Sequence, residues 1–234
     1  MEIMTWNTGL TEGSDAQAVI NYVKPFIDQD NAVAVLQQIP YKDPHNNWTM
    51  FPTYADFMAA FPENEYTIIQ NTNHNNGFAR MLTVVVTRMT NVSELSTFPY
   101  KPTTNRECFF RVGDYYKLLG LHLHPDKRNA DELRALNNKK DADIILGDFN
   151  AGDYYRYKDV PCENRATFKS ILKDYVCICN MPTKEVKDIN GKLIRRTCID
   201  HVFVKSSIVD KCSSLKIHED IKISDHYPIT FYID

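Results

Sequence analysis

Apolar residues fall in short runs along this chain, most of them too short for helices and most ending in polar residues. Glu2 to Asn7 reads as a first strand. Ser14 followed by Gln17 makes a capping box, and Ala16, Val19, Ile20, Val23 and Ile27 follow at helical spacing, with Pro25 expected to kink or shorten the helix. Asn31 to Ile39 is a second, buried strand ending in Gln37 and Gln38; the order strand, helix, strand predicts a parallel pair. A short helical piece is expected around Ala55 to Phe61, and strands at Tyr66 to Gln70 and Met81 to Arg88, with the polar turn Asn71 to Gly77 between them. Phe109 to Val112 and Tyr116 to His124 flank Gly113-Asp114 as a hairpin, and alternation in the second arm puts His122 and His124 on one face. Asn129 with Glu132 is expected to cap a helix carrying Leu133 and Leu136. Phe168, Ile171, Leu172 and Tyr175 mark another helix over Asn164 to Tyr175. Val186 to Lys205 turns at Asn190-Gly191, and His226 to Ile233 is the last strand. Strands outnumber helices, so the pattern predicts an α/β protein of two packed sheets with helices on the outer faces.

The centre of the pattern is Asp143 to Asp153. Burying Ile144, Ile145 and Leu146 is worth about 1.5–3 kcal/mol each, which draws this strand deep into a sheet and leaves Asp148 and Asn150 at its tip. Gly, Asp and Asn are also ordinary turn formers. Polar residues recur, however, at other strand ends: Asn7, Gln38, His122, and Asp200 with Asp225 and His226. Their repetition points to convergence on one site.

Composition narrows the setting. The 234 residues are 43% hydrophobic and contain no linker, repeat or low-complexity tract, so one domain over residues 1–234 is expected. No apolar stretch approaches the ~20 residues that span a membrane, and a cytoplasmic, monomeric protein is expected. The six cysteines are spread thinly and read as reduced thiols; Cys177-Ile178-Cys179 lacks the partner spacing of a zinc site. A formal charge of −3 argues against coating nucleic acid through bulk electrostatics. It does not exclude an enzyme with a local basic surface, but the basic stretch Lys184, Lys187, Lys192, Arg195 and Arg196 reads as a solvated hairpin face.

The segments TWN (Thr5 to Asn7), LQQIP (Leu36 to Pro40), LHLHP (Leu121 to Pro125), GDFNA (Gly147 to Ala151), IDHVFV (Ile199 to Val204) and SDHYPI (Ser224 to Ile229) appear in this order. In them the chain resembles the endonuclease/exonuclease/phosphatase superfamily, the DNase I-like fold, over essentially its full length. The resemblance implies a four-layer α/β/β/α sandwich and metal-assisted phosphodiester hydrolysis with magnesium, or manganese, as cofactor. It implies His226 as general base or proton partner oriented by Asp200, Asp148 positioning the attacking water, and Asn150 and His122 on the phosphate. Asn7, Asp225 and Gln38 fall at the metal and phosphate shell.

Gln38 departs from the pattern, because the family normally has a metal-binding glutamate there. The neutral amide lowers the expected metal affinity and turnover. An engineered substrate trap is favoured over a natural, weakened relative, since the other motifs are intact. Tyr154, Tyr155 and Arg156 after GDFNAGD suit stacking on exposed bases, so with Arg195 and Arg196 they are the expected substrate contacts. A DNA or RNA nuclease is the first reading. The alternatives are a phosphoinositide or sphingomyelin phosphoesterase and a catalytically silent binding protein. His122-Leu123-His124-Pro125-Asp126 also begins an HxHxDH zinc signature, but Lys127 stands where its last histidine belongs. The spacing of Gly147 and Gly152 suits a P-loop, but Asp153 stands where lysine is required.

Overall fold

The computed structural model describes residues 1–72, 80–95, 106–136, 141–152, 172–179 and 181–234. The first half runs β1 (Glu2–Asn7), α1 (Ala16–Ile27), β2 (Ala32–Pro40), a small hairpin of β3 (Lys42–Asp43) and β4 (Thr49–Met50), α2 (Pro52–Ala60), β5 (Thr67–Gln70), β6 (Met81–Thr87) and β7 (Val92–Glu94). The second half runs β8 (Glu107–Val112), β9 (Tyr116–His122), α3 (Arg128–Leu136), β10 (Ile144–Asp148), β11 (Tyr175–Cys177), β12 (Lys184–Lys187), β13 (Leu193–Thr197), β14 (Asp200–Lys205), β15 (Cys212–Ile217) and β16 (Ile229–Ile233).

Two mixed sheets result, ordered β15-β16-β1-β2-β6-β5 and β11-β14-β10-β9-β8-β7. At the centre of each lies a parallel pair, β1 with β2 and β9 with β10; the flanking pairs are antiparallel. Side-chain alternation builds the layers. Ile3, Val33 and Val35 meet Ile144, Leu146 and Val202 between the sheets, while Met4, Trp6, Ala34 and Leu36 face α1 and α2. On the far side Leu119, Leu121 and Ile145 face Leu133 and Leu136 of α3. These are the two packed sheets with outer helices expected from the strand pattern and the four-layer sandwich that the resemblance implies, with three apolar clusters between the layers.

Several local expectations change. Asp15, not Ser14, caps α1, its carboxylate accepting from the Ala18 amide, and α1 continues past Pro25 to Ile27. Proline in the last turn loses little, because only the closing hydrogen bonds are affected. Asn129, expected at the N-cap of α3, lies inside the helix, which begins at Arg128. The buried Asn129 amide instead donates to the carbonyls of His124 and Phe149, and Glu132 receives the His124 ring at 2.5 Å. β9 ends at His122, so His124 lies beyond the strand rather than on its face. The return arm from Asn190-Gly191 stops at Thr197, and β14 then enters a different sheet. The expected helix over Asn164 to Tyr175 lies mostly outside the described residues, and its last position begins β11. Most of the polar turn after Gln70 also lies outside them. Among the described residues no helix is long and apolar enough to cross a membrane.

The four central strand ends meet at one edge. β1, β2, β9 and β10 all finish there, and β14, antiparallel to β10, starts there with Asp200 opposite Asp148. Gly147 makes the approach possible: its φ is +133°, and a Cβ would collide with the Leu121 carbonyl of the neighbouring strand. Gly147→Ala is therefore expected to lower the unfolding free energy by about 2–4 kcal/mol through backbone strain and overpacking. The check is a urea titration; an unchanged midpoint would contradict this account.

Candidate active site

Asp148, at the end of β10, is 1% exposed and engaged on both oxygens. Oδ1 accepts from the Asn150 amide at 2.8 Å, and Oδ2 accepts from Asn7 Nδ2 at 2.8 Å, a bond that ties one sheet to the other. His226 lies just before β16. Its Nδ1 is 2.9 Å from both oxygens of Asp200, and its carbonyl accepts from the Trp6 indole at 3.0 Å. The ring is thereby clamped with Nε2 facing Asp148 Oδ2 at 3.9 Å, a gap too long for a direct hydrogen bond. His122, at the end of β9, places Nε2 3.6 Å from the same oxygen. Three strand ends and the turn before β16 thus turn Asn7, Asp148, His122 and His226 towards one point.

Burial and charge sort these groups into roles. Burial opposes the charged form of His226, but Asp200 outweighs it and raises the pKa above the ordinary histidine value. His122 is the reverse case: burial, with Arg106 and His226 close by, holds it well below that value and therefore neutral. Asp148 is pushed up to about 6, first by burial and then by the charge of Asp200. A neutral histidine, a histidine that favours its proton and a carboxylate near its titration point converge here, a combination suited to proton transfer.

The positions expected to hold a metal behave differently. Gln38 has φ +59° at the bulge of β2; its Oε1 accepts from Thr11 Oγ1 at 2.9 Å and its Nε2 donates to Glu12 at 3.2 Å. Asn7 Oδ1 accepts from the Gly9 amide at 3.2 Å, and Asp225 Oδ2 pairs with Lys184 Nζ at 3.1 Å. Magnesium asks for a near-octahedral set of hard oxygens at ~2.1 Å, with carboxylates to balance its charge. This trio has one carboxylate, already matched by an ammonium. Asp148, Asp200 and His226 have ligand atoms within 4.8 Å of one another, yet both Asp200 oxygens serve His226. As paired here, Asn7, Gln38 and Asp225 do not by themselves make a magnesium or manganese site.

Two cations were not singled out in sequence. Lys184, counted above only within a basic hairpin, has a side chain 18% exposed and opens β12 with a backbone bridge to His226. Burial works against its charge, but Asp225, Asp148 and Glu12 outweigh it and raise its pKa. Arg106, beside β8, is within electrostatic reach of Asp148 and His122, and its Nη1 is buried with no hydrogen-bond partner among the described residues. No pattern of spacing marks either residue, because Lys184 reaches the site from β12 and Arg106 from the turn before β8.

Asn150, Arg195 and Arg196 make contacts of their own. One Asn150 side-chain amide proton goes to the Leu123 carbonyl at 2.9 Å, with Asn150 itself at φ +45°, so this side chain braces the turn. Arg196 pairs with Glu219 at 2.8 Å and stacks against Tyr227, and Arg195 is half-buried on β13; neither has a recorded bond to the strand-end cluster. Tyr154, Tyr155 and Arg156 lie outside the described residues.

No protein-family model matches the chain, and no curated protein does. Solved structures do. The endonuclease domain of TRAS1, a telomere-specific non-LTR retrotransposon, superposes with a TM-score of 0.68 at 17% identity, covering 99% of this chain and 97% of that one. An AP endonuclease from Archaeoglobus fulgidus gives 0.66 at 16% identity over 100% and 99% of the two chains. Zebrafish (D. rerio) TDP2, complexed with a single-strand DNA product, gives 0.65 at 15% identity over 99% and 97%. With both chains covered almost end to end, and at identities that speak for architecture alone, this chain has the DNase I-like fold of those structures.

Proposed function

We propose that the chain hydrolyses a phosphoester, with a nucleic acid as the first substrate class. The observation that carries this is the buried Asp200–His226 pair, which turns Nε2 towards Asp148 Oδ2 at 3.9 Å, with Asn7 Nδ2 2.8 Å from that oxygen and 3.5 Å from that nitrogen. Water attacks phosphorus in line and its proton passes to Asp148. The bond from phosphorus to the leaving oxygen breaks, and that oxygen takes a proton from solvent. The His226 imidazolium, kept charged by Asp200, donates a hydrogen bond to a phosphoryl oxygen as negative charge builds there. Neutral His122 offers Nε2–H to a second oxygen, and Asn7 holds Asp148 in register. A divalent cation, which the resemblance implies, would supply charge neutralisation if bound; no step here runs through it.

The same fold is found in the TRAS1 endonuclease domain, an AP endonuclease and TDP2 complexed with a single-strand DNA product, which supports a nucleic-acid substrate. The test is a panel of single- and double-stranded DNA and RNA, a cyclic dinucleotide and phosphoinositides, assayed with the wild-type protein and with Asp200→Ala. Cleavage of nucleic acid that drops about 10²-fold or more in the variant is expected. Hydrolysis of phosphoinositides alone would overturn the substrate class. Equal rates for the two proteins would overturn the site.

A further inference from the structure

We propose that the Lys184 ammonium is the chain's own cation for the phosphate, taking the electrostatic place that the resemblance reserves for a divalent metal. This rests on the phosphoester reading above. Position is the first argument. Backbone bonds from Glu185 N to Asp225 O and from Tyr227 N to Thr183 O, each 2.7 Å, stitch the β12 hairpin to the turn that carries His226. They deliver Lys184 Nζ to 3.1 Å from Asp225 Oδ2, while Asp225 Oδ1 lies 3.9 Å from His226 Nε2. The ammonium therefore reaches the rim of the same cluster, and with 18% exposure it is accessible to a phosphate entering from solvent.

Charge balance is the second argument. Asp225, Asp148 and Glu12 all act on this one ammonium. Around a divalent ion the chain would gain from a carboxylate at position 38; it has Gln38 instead, whose amide donates to Glu12 at 3.2 Å and accepts from Thr11. A glutamate there would set two carboxylates against each other. The neutral amide and the single positive charge make a matched pair, which accounts for Gln38 among otherwise intact motifs. Lysine binds phosphate as a compact point charge with three donors, so one N–H can keep Asp225 while others turn to phosphoryl oxygens.

The test compares the wild-type protein, Lys184→Gln and Lys184→Arg, all in excess chelator. Inorganic phosphate titrated by calorimetry is expected to bind about tenfold or more weakly to Lys184→Gln, with Lys184→Arg keeping most of the affinity. Hydrolysis by the wild-type protein is expected to persist in chelator and to fall about 10²-fold in Lys184→Gln. The proposal is overturned if phosphate binding is unchanged in Lys184→Gln. It is overturned equally if chelator abolishes wild-type hydrolysis, magnesium restores it, and Lys184→Gln binds magnesium more tightly by calorimetry, since Lys184 would then be only the counter-ion of Asp225. Phosphate binding that depends on Lys184 in a protein that hydrolyses nothing would keep the cation and remove the hydrolase reading, so the two fail separately.

Discussion

His226→Gln is expected to lower the rate of phosphoester hydrolysis by about 10²–10⁴-fold, with substrate affinity changed far less. Glutamine fills much of the same volume and can still meet Asp200, but it carries no proton that titrates and no positive charge. In the native protein burial works against the charged ring, and the carboxylate of Asp200, 2.9 Å from Nδ1 through both oxygens, outweighs it. The wild-type pH profile should therefore be bell-shaped. Activity rises as Asp148 ionises near pH 6 and is lost at higher pH, above the ordinary histidine value, as His226 gives up its proton. Because the two groups face each other at 3.9 Å, the limbs belong to the pair and not to either residue alone. His226→Gln should remove the alkaline limb. A variant that keeps the full rate, or the same alkaline limb, would show that His226 is structural.

Asp148→Asn is expected to combine a loss of activity of about 10²–10⁴-fold with a gain in stability at neutral pH. Burial is the first cause of the raised value near 6 and Asp200 the second, so the folded state holds a proton that the unfolded chain releases near 3.8. Between those two values the folded state binds more protons, and stability falls as pH rises through the window. Above it, the ionised carboxylate costs about 3 kcal/mol relative to a neutral group. Asparagine removes that cost but turns an amide towards Asn7 Nδ2, which now donates to Asp148 at 2.8 Å; two facing donors return about 1–2 kcal/mol. A net gain of about 1–2 kcal/mol at pH 8 should turn into a net loss of about 1 kcal/mol by about pH 4, where the native carboxyl is already neutral. Urea unfolding at the two pH values measures both. A variant less stable than wild type at pH 8 would contradict the assignment of Asp148 as a buried, strained charge.

Much of the architecture was legible along the chain because burial leaves a periodic trace. Val33 and Val35 point one way and Ala34 and Leu36 the other, and β10 repeats the pattern with Ile145 against Ile144 and Leu146. The residues at the polar strand ends were legible for the same reason: a hydrophobic run that stops at Asn7, His122 or Asp148 marks where an apolar strand gives way to polar chemistry. Local caps were less so. Ser14 and Asp15 are both capable N-caps, and only the backbone turn, extended at Asp15, chose between them.

Sequence by itself determined the two-sheet α/β plan and the chemical identity of the strand-end residues, since side-chain period and residue type are properties of the chain. Tertiary structure alone decided which of those residues work together and in what charge state. Asp200 charges His226 because β14 lies antiparallel to β10, and Asp148 is strained because two sheets close over it. Lys184 meets Asp225 because a separate hairpin is stitched beside the last turn. Coulomb interactions and desolvation depend on distance and burial in space, and residues 41 positions apart, such as Lys184 and Asp225, carry no mark of their proximity in the chain.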